Sequence, residues 1–226
     1  MPSLQTTADG SHTLYSDRFG VPYHSIHGAV GESRHVFIQA GLRPLLESGQ
    51  QHVRILEMGF GSGLNALLTE LELEKYPGVT VDYYAYERYP IGVEQVAELN
   101  YPAVLGVDPE RLLALHAAFA DPTLPSSSPL HLRPRQADFL TDADRPYAPD
   151  SIDLIYYDAF APVSQPEFWT PEAMVVCWEA LKPDGKFYTY CAKGQFKRNL
   201  KTVGFTVVPL PGPPGKREMT SAVKEV

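Results

Sequence analysis

The chain has 226 residues, of which 44% are hydrophobic, and carries a formal net charge of −8. This length is typical of one large domain, with or without appendages, and it can bury a sizeable core. The acidic balance argues against a protein that coats nucleic acid through bulk positive charge, although it leaves room for a local basic patch.

Other features of the whole sequence narrow the class further. No run approaches the roughly 18 apolar residues of a membrane helix, and the N-terminus lacks the basic-then-apolar pattern of a signal peptide. Two cysteines, Cys177 and Cys191, lie far apart in apolar surroundings, as buried free thiols of a reduced protein do. The histidines show no spacing typical of zinc. We therefore expect a cytoplasmic protein without a metal site and without a membrane partner.

The N-terminal region differs in pattern from the rest. Residues 1–10 are expected to be a disordered tail. Residues 12–27 predict a hairpin that turns at Asp17-Arg18-Phe19-Gly20, and a helix is predicted to begin at Glu32. We expect this region to form an appendage that folds over the open edge of the core.

Strands and helices alternate along the remaining chain. The predicted strands cover residues 53–58, 79–86, 130–137, 151–158, 187–192, 205–208 and 218–224. The predicted helices cover residues 64–75, 109–120, 171–181 and 194–202, another begins at Tyr89-Pro90, residues 121–129 form an exposed loop, and residues 182–186 form a turn. This alternation predicts an α/β fold with a doubly wound, mostly parallel sheet of seven strands and an antiparallel terminal hairpin. Residues 46–226 would be one globular unit, and residues 1–45 the appendage.

A glycine-rich turn follows the first core strand. The segment from Glu57 to Gly63 has glycine at every second position from Gly59. It is not the G-x-G-x-x-G dinucleotide fingerprint, because Leu64 stands at the last position. It resembles motif I of the class I S-adenosylmethionine (SAM) methyltransferases, which have a Rossmann-like fold. Acids that end the next two strands, Glu87 and Asp138, stand where such a site needs ribose and adenine contacts. The candidate cofactor-binding residues are Glu57, Gly59, Gly61, Gly63, Asn65, Glu87, Asp138 and Phe139.

A second loop, whose residues could take part in catalysis, follows the fourth core strand. Ligands of doubly wound sheets lie beyond the carboxyl ends of the strands, so Asp158 is predicted to face the glycine turn. The run from Asp158 to Pro162 resembles the Asp/Asn-Pro-Pro-Tyr/Phe loop of amino-directed methyltransferases. A carboxylate there can align an amine N–H and take its proton. Asp158 is therefore the candidate catalytic residue. The alternatives are a loop cap for Asp158 and simple packing for Phe160.

Together with other segments, these motifs resemble one family. The likeness is carried by Tyr23-His24-Ser25 with residues 28–37, by the run from Glu57 to Asn65, by Asp158–Pro162 with Pro166 and Trp169, and by residues 215–219. They resemble the methyltransferase domain of the bifunctional tRNA-modifying protein MnmC and its standalone relatives. The resemblance implies conversion of 5-aminomethyl-(2-thio)uridine at the tRNA wobble position to the 5-methylaminomethyl form. The chain has no room for the family's FAD-dependent oxidase domain, so we expect the standalone type, with separate enzymes supplying the aminomethyl substrate.

Two basic clusters could contact the anticodon loop of tRNA. One comprises Lys193, Lys197, Arg198 and Lys201, of which the last three can share a helical face, and the other is Lys216-Arg217. Aromatic residues could form the walls for an unstacked uridine. The candidate substrate-binding residues are Tyr23, Glu32, Phe160, Pro162, Trp169, Lys193, Lys197, Arg198, Lys216 and Arg217.

Three other functions are compatible with parts of the pattern. A SAM-dependent methyltransferase of a small amine or a protein would suit the acidic charge. A nicotinamide-dependent oxidoreductase is disfavoured by Leu64, which replaces the third glycine of its fingerprint. A cofactor-binding module without catalysis is disfavoured by Asp158.

Overall fold

A seven-stranded sheet organises the molecule. The computed structural model describes residues 3–124 and 128–225. The strand order is β6-β5-β4-β7-β8-β10-β9, and all neighbouring pairs are parallel except those made by β10. The strands are β4 (His52–Met58), β5 (Thr80–Tyr86), β6 (Leu130–Arg135), β7 (Ile152–Tyr157), β8 (Leu181–Thr189), β9 (Thr206–Pro211) and β10 (Glu218–Val223). The predicted α/β sheet with its antiparallel terminal hairpin is thus confirmed.

Both faces of this sheet are covered. All six residues of β7 are buried, as expected for a central parallel strand with helices on either side. Its Leu154 and Tyr156 belong to one apolar cluster, whereas Ile155 and Tyr157 belong to another. The covering helices are α1 (Ala29–Ser33), α2 (Arg43–Glu47), α3 (Leu64–Leu73), α4 (Val93–Ala97), α5 (Tyr101–Leu105), α6 (Pro109–Ala120), α7 (Pro171–Ala180) and α8 (Gly194–Val203). No helix in the described part of the chain has the length and apolarity that crossing a membrane requires.

The N-terminal region forms a small sheet followed by a long helix. Strands β1 (Ser3–Thr6), β2 (His12–Ser16) and β3 (Val21–Pro22) pair antiparallel in that order. The predicted hairpin is confirmed. The predicted disordered tail is wrong from Ser3 onward; residues 1 and 2 lie outside the described residues. All four side chains of β1 are exposed, so no apolar pattern could reveal this strand.

Three other predicted elements differ in detail. Helix α1 continues through a π-helical segment (Arg34–Leu42) into α2. The helix after β5 begins at Val93, beyond Tyr89-Pro90, because the Glu87 carboxylate accepts the Tyr89 N–H and keeps this segment out of helical geometry. The predicted turn at 182–186 is an irregular part of β8, since Ile152 pairs with Leu181 but Leu154 pairs with Lys186. Residues 125–127 of the predicted exposed loop lie outside the described residues.

Backbone hydrogen bonds hold the turn after β4 between its neighbours. The N–H groups of Gly59 and Phe60 both donate to the Tyr86 carbonyl of β5, at 3.1 and 3.0 Å. On the other side, the Asp158 N–H donates to the Met58 carbonyl at 3.0 Å. The ends of β4, β5 and β7 therefore meet at one point, and the loops that follow them form a common cavity.

Candidate functional site

The cavity lies at the carboxyl edge of the sheet, under the N-terminal hairpin. Its walls come from that hairpin, the glycine turn, and the segments that follow β5, β6 and β7. Several residues singled out in the sequence come together there: Tyr23, Gly59, Gly61, Glu87, Asp138, Phe139, Asp158 and Phe160. The cavity thus contains both hypothesised halves of a group-transfer site.

The glycine turn needs its glycines for close backbone packing. Gly59 has a φ of 90°, and a Cβ there would lie 2.7 Å from the Asp158 carbonyl oxygen. The Gly61 N–H donates to Glu87 Oε2 at 3.0 Å, and Glu87 Oε1 accepts the Tyr89 N–H at 2.8 Å. Burial raises the pKa of Glu87, while these backbone donors oppose that rise. The carboxylate therefore ties the turn to the end of β5 at the cavity wall.

Asp138 and Phe139 form another part of the wall. Asp138 Oδ2 accepts from Arg88 Nη1 at 2.5 Å, and its Oδ1 accepts the Leu140 N–H at 2.9 Å. Phe139 is buried, with its ring edge-on to Tyr86 at 5.2 Å between centroids. Asp138 is thus a fixed acceptor beside an aromatic surface.

Glu57 and Asn65 lie behind the glycine turn and do not line the cavity. Glu57 is fully buried and Asn65 is 2% exposed. The Asn65 amide nitrogen donates to Glu57 Oε1 and to Asp158 Oδ2, each at 2.9 Å. Gly63 also lies behind the turn, at the start of α3, where a Cβ would approach His116 Nε2 to 2.9 Å. The direct cofactor contact hypothesised for these three residues does not fit their placement, and Asn65 instead connects two carboxylates.

Asp158 is the strongly perturbed acid of the cavity. Burial raises its pKa to about 7, the Asn65 hydrogen bond opposes that rise, Glu32 reinforces it and Lys216 opposes it. A carboxyl group with this pKa exchanges its proton near neutral pH, which is the property required of a general acid or base. Its position at the end of β7 also places it beside the glycine turn, as the sequence predicted.

Three aromatic rings line the same cavity as Asp158. Phe160 lies 4.7 Å from Phe19 and 5.0 Å from Tyr23, measured between ring centroids. Trp169 does not line the cavity, because it is buried against Phe196 at 4.8 Å. Its Nε1 donates to the Phe160 carbonyl at 2.9 Å, so it supports the loop from below. Its hypothesised role as a wall for a base is therefore corrected, and Pro162 of the same loop also lies outside the cavity lining.

Glu32 and Lys216 form an ion pair between the N-terminal helix and the C-terminal loop. The Glu32 carboxylate also accepts the Ser25 N–H at 3.1 Å. The Lys216 ammonium lies 4.1 Å from the centroid of the Tyr190 ring, a cation–π arrangement. Both charges are close enough to Asp158 to act on its pKa, but neither side chain lines the cavity.

The basic clusters are only partly available to a ligand. Lys197 pairs with Glu218 at 2.7 Å, and its side chain is 18% exposed. Arg198 is exposed and donates to Gln195 Oε1 at 2.8 Å. Lys193, Lys201 and Arg217 are exposed. The charge of Lys197 is therefore largely neutralised, which corrects its predicted place in a phosphate-binding face.

Comparisons with known proteins agree with this geometry. Residues 137–225 match a family described as S-adenosyl-L-methionine-dependent methyltransferase. The chain is 32% identical over 224 residues to the tRNA 5-methylaminomethyl-2-thiouridine biosynthesis bifunctional protein MnmC of Cupriavidus necator, covering 92% of this chain and 32% of that protein. It is 33% identical over 228 residues to the MnmC protein of Aromatoleum aromaticum, covering 96% of this chain and 34% of that protein. The chain resembles MnmC. It spans about a third of the length of these relatives.

Solved structures show the same likeness. The crystal structure of MnmC2 from Aquifex aeolicus matches with a TM-score of 0.79 at 25% identity, covering 100% of this chain and 71% of that one. A probable spermidine synthase from Corynebacterium glutamicum matches with a TM-score of 0.53 at 19% identity, covering 98% and 75%, and so shares the fold alone. The resemblance to MnmC predicted from the motifs is thereby confirmed, as is the methyltransferase fold.

Several residues outside the predicted motifs also line the cavity of this MnmC-like chain. Arg18 lies over the Tyr89 ring, with its Cζ 4.0 Å from the ring centroid. Gln165 Oε1 accepts the Phe160 N–H at 3.0 Å and so shapes the loop after β7. The available signal was Phe19, a half-buried aromatic residue in the hairpin turn next to the exposed Arg18. Gln165 carried no signal at all.

The groups that line the cavity suit an organic ligand. Within residues 3–124 and 128–225, no group of three or more His, Cys, Asp or Glu side chains could hold a metal ion. Both cysteines are buried and free. The cavity instead combines fixed carboxylates, backbone groups and aromatic rings, a set that suits a nucleoside-containing ligand.

Proposed function

We propose that this chain is a SAM-dependent methyltransferase that converts 5-aminomethyl-(2-thio)uridine at the tRNA wobble position to 5-methylaminomethyl-(2-thio)uridine. The observation that carries the proposal is the proximity of Asp158, with a pKa of about 7, to the glycine turn and Glu87 in one cavity. The similarity to MnmC supports the choice of substrate. The cytoplasm, where tRNA is modified, would be its location, and separate enzymes would supply the aminomethyl group.

The cavity residues fit the parts of SAM by their chemistry. Glu87 offers a carboxylate to a ribose diol, and Asp138 with Phe139 offers an acceptor and an apolar surface to adenine. Gly59 and Gly61 bring the backbone close to the methionine portion, since neither carries a side chain. When bound there, SAM supplies an electrophilic methyl group.

Asp158 would act on the attacking amine. An alkylamine is mostly protonated at neutral pH, and its ammonium nitrogen has no lone pair, so it must lose a proton before the nitrogen can attack the methyl group. The ionised Asp158 carboxylate can orient one N–H and receive the proton, a contribution of typically about 10²–10⁴-fold. Correct alignment can contribute more, up to about 7–11 kcal/mol. Because the pKa of Asp158 is about 7, a large fraction of this carboxyl group is ionised at neutral pH and can accept a proton.

The aromatic residues that share the cavity with Asp158 would receive the uridine. Unstacked RNA bases are commonly held on aromatic side chains. Phe160 and Tyr23 both line the cavity and lie edge-to-face at 5.0 Å. Glu32 and Lys216 would act from behind through their charges, and Pro162 would stiffen the loop.

Nucleoside analysis tests the reaction directly. Purified protein and SAM would be incubated with tRNA that carries the aminomethyl group, and digested nucleosides would be analysed by mass spectrometry. We expect the 5-aminomethyl nucleoside to gain one methyl group, and Asp158→Asn to slow that gain by at least about 10²-fold. Methylation of small amines or of proteins, with no product in tRNA, would instead indicate a methyltransferase that acts on a small amine or a protein. Binding of NAD(H) in place of SAM, measured by calorimetry, would overturn the cofactor assignment.

A further test concerns the RNA-binding face. We propose that Lys193, Arg198 and Arg217 contact the tRNA backbone, because all three are exposed. A Lys193→Glu, Arg198→Glu variant should lose tRNA affinity while binding SAM normally. The slope of log affinity against log salt should become shallower by about one to two units.

A control with the same change in charge keeps this test specific. Arg54→Glu combined with Lys75→Glu alters exposed residues at the start of β4 and just after α3, at the end of the sheet opposite the cavity. We expect this control to retain most of the affinity. An equal loss of tRNA affinity in both double variants would show that net charge, not the position of the residues, determines binding. That result would contradict the proposed docking face.

A further inference from the structure

A buried asparagine joins two acids that come from neighbouring strands. Asn65 is the second residue of α3 and is 2% exposed. Glu57 stands near the end of β4, and Asp158 directly follows β7, which pairs with β4 in parallel. The Asn65 amide nitrogen donates to Glu57 Oε1 and Asp158 Oδ2 at 2.9 Å each. One amide group therefore serves two carboxyl groups.

The chemistry of the groups fixes the direction of this amide. An asparagine NH₂ has two donors, and both are used here. The reversed orientation would aim Asn65 Oδ1 at the Asp158 carboxylate and would replace that attraction by a repulsion. Oδ1 itself is buried without a hydrogen-bond partner in the described part of the chain. Glu57 Oε2 is likewise buried without a partner among the described residues, so the arrangement keeps both Asn65 donors on the acids and leaves these two oxygens unpaired.

We propose that Asn65 is the positioning residue of Asp158, and that Glu57 anchors Asn65 by accepting its other amide hydrogen. Asn65 holds Oδ2, so the Asp158 carboxyl group cannot rotate freely and presents Oδ1 to the cavity. This inference rests on the proposed function for its catalytic meaning, but the arrangement of the three side chains stands without it.

The surroundings explain why two acids can share one donor. Burial raises the pKa of Glu57 well above its ordinary range, and the neighbouring Asp158 charge raises it further. Both effects oppose the simultaneous ionisation of Glu57 and Asp158, which would place two anions close together in a buried site. The other charged or titratable groups that influence or sense Asp158 are Glu32, Lys216, Tyr83, Tyr101 and Tyr190.

Carboxyl ¹³C NMR provides a test that needs neither SAM nor tRNA. Protein labelled at the aspartate carboxyl carbons would be titrated, and the Asp158 resonance identified by its loss in Asp158→Asn. We expect a midpoint near 7 in the wild type. In Asn65→Leu, which keeps the branched shape of the side chain and removes both donors, the midpoint should rise by about one to two units, the value of a charged hydrogen bond.

Kinetics would then connect the network to catalysis. Asn65→Leu should lower kcat by about tenfold or more, move the acid limb of the pH–rate profile upward, and leave SAM affinity within about threefold of the wild type. Thr220→Val is the matched control, because it removes a buried hydrogen bond to the Cys191 carbonyl and should leave the Asp158 midpoint in place. Asn65→Ala tests the same claim should Asn65→Leu fail to fold.

The outcomes separate the inference from the proposed function. An unchanged Asp158 midpoint in folded Asn65→Leu or Asn65→Ala would overturn the positioning role, whatever the enzyme methylates. A wild type that binds SAM but leaves tRNA unmodified would overturn the proposed function, while the NMR titration would still decide the role of Asn65. A lowered kcat with an unshifted pH profile would mark Asn65 as merely structural and would also overturn the inference.

Discussion

Replacing Asp158 by asparagine should stabilise the protein at alkaline pH while removing most of its activity. The pKa of Asp158 stands at about 7, against about 3.9 for an ordinary aspartate. Each unit of difference corresponds to about 1.36 kcal/mol, so the buried charge costs the folded state up to about 4 kcal/mol. Asp158 borders the cavity, where water screens its charge, and we therefore expect about 2 kcal/mol.

The sign of the pH dependence follows from linkage. Below pH 4 the carboxyl group is protonated in both folded and unfolded chains and contributes nothing. Between about pH 4 and 7 the unfolded chain releases the proton and the folded chain keeps it, so wild-type stability falls as pH rises. Above pH 7 the penalty is constant. The Asp158→Asn variant carries no such penalty, and the carbonyl oxygen of its new side chain can still accept from Asn65.

Urea denaturation at two pH values measures the effect. At pH 8 we expect Asp158→Asn to exceed the wild type by about 2 kcal/mol in free energy of unfolding, and at pH 4.5 by less than about 1 kcal/mol. Turnover should fall by at least about 10²-fold, with SAM affinity little changed. The reasoning about the buried carboxylate would be refuted if the variant were less stable than the wild type at pH 8. It would also be refuted if the difference in free energy of unfolding between variant and wild type were the same at both pH values.

Three further predictions concern the same cavity. Glu87→Ala should weaken SAM binding by about 10–100-fold in calorimetry, because a charged hydrogen bond is lost at about 1.5–3 kcal/mol; an unchanged dissociation constant would refute its ribose role. Gly59→Ala should lower the free energy of unfolding by at least about 1–3 kcal/mol, because of its positive φ and the Asp158 carbonyl 2.7 Å from the new Cβ; wild-type stability in urea would contradict that packing. The methyl-transfer rate should rise with pH through about 7 as Asp158 ionises; a rate that is flat from pH 6 to 8 would contradict its role as proton acceptor.

The sequence predicted the parts of the site that depend on strand order. Parallel strands end at one edge, so acids and glycines at those ends had to meet, and Gly59, Glu87, Asp138 and Asp158 do line one cavity. The local sequence pattern was sufficient here, because a residue at the carboxyl end of any parallel strand lies at the same edge of the sheet, where ligands bind.

Contacts between residues that are far apart in the sequence could not be predicted from the local sequence pattern. The charge of Lys197 is compensated by Glu218, 21 residues away, and nothing in the helix pattern indicates that partner. Trp169 has the chemistry of a base-stacking residue, but its burial against Phe196 decides its role. The position of Asn65 directly after the glycines predicts a cofactor contact, whereas its two partners lie 8 and 93 residues away.

The energetic cost at Asp158 and the proposed chemistry have a common origin. Bound SAM and substrate would complete the burial that raises the pKa of this carboxyl group, because they would displace cavity water from the position where an amine attacks a sulfonium methyl. Less water means a stronger interaction between the carboxylate and the departing proton, since the local dielectric constant is lower. A fully solvated aspartate would titrate near its ordinary value and would be a weak proton acceptor at neutral pH. Asn65 limits the cost, because its amide donates to Asp158 Oδ2 without adding a second charge.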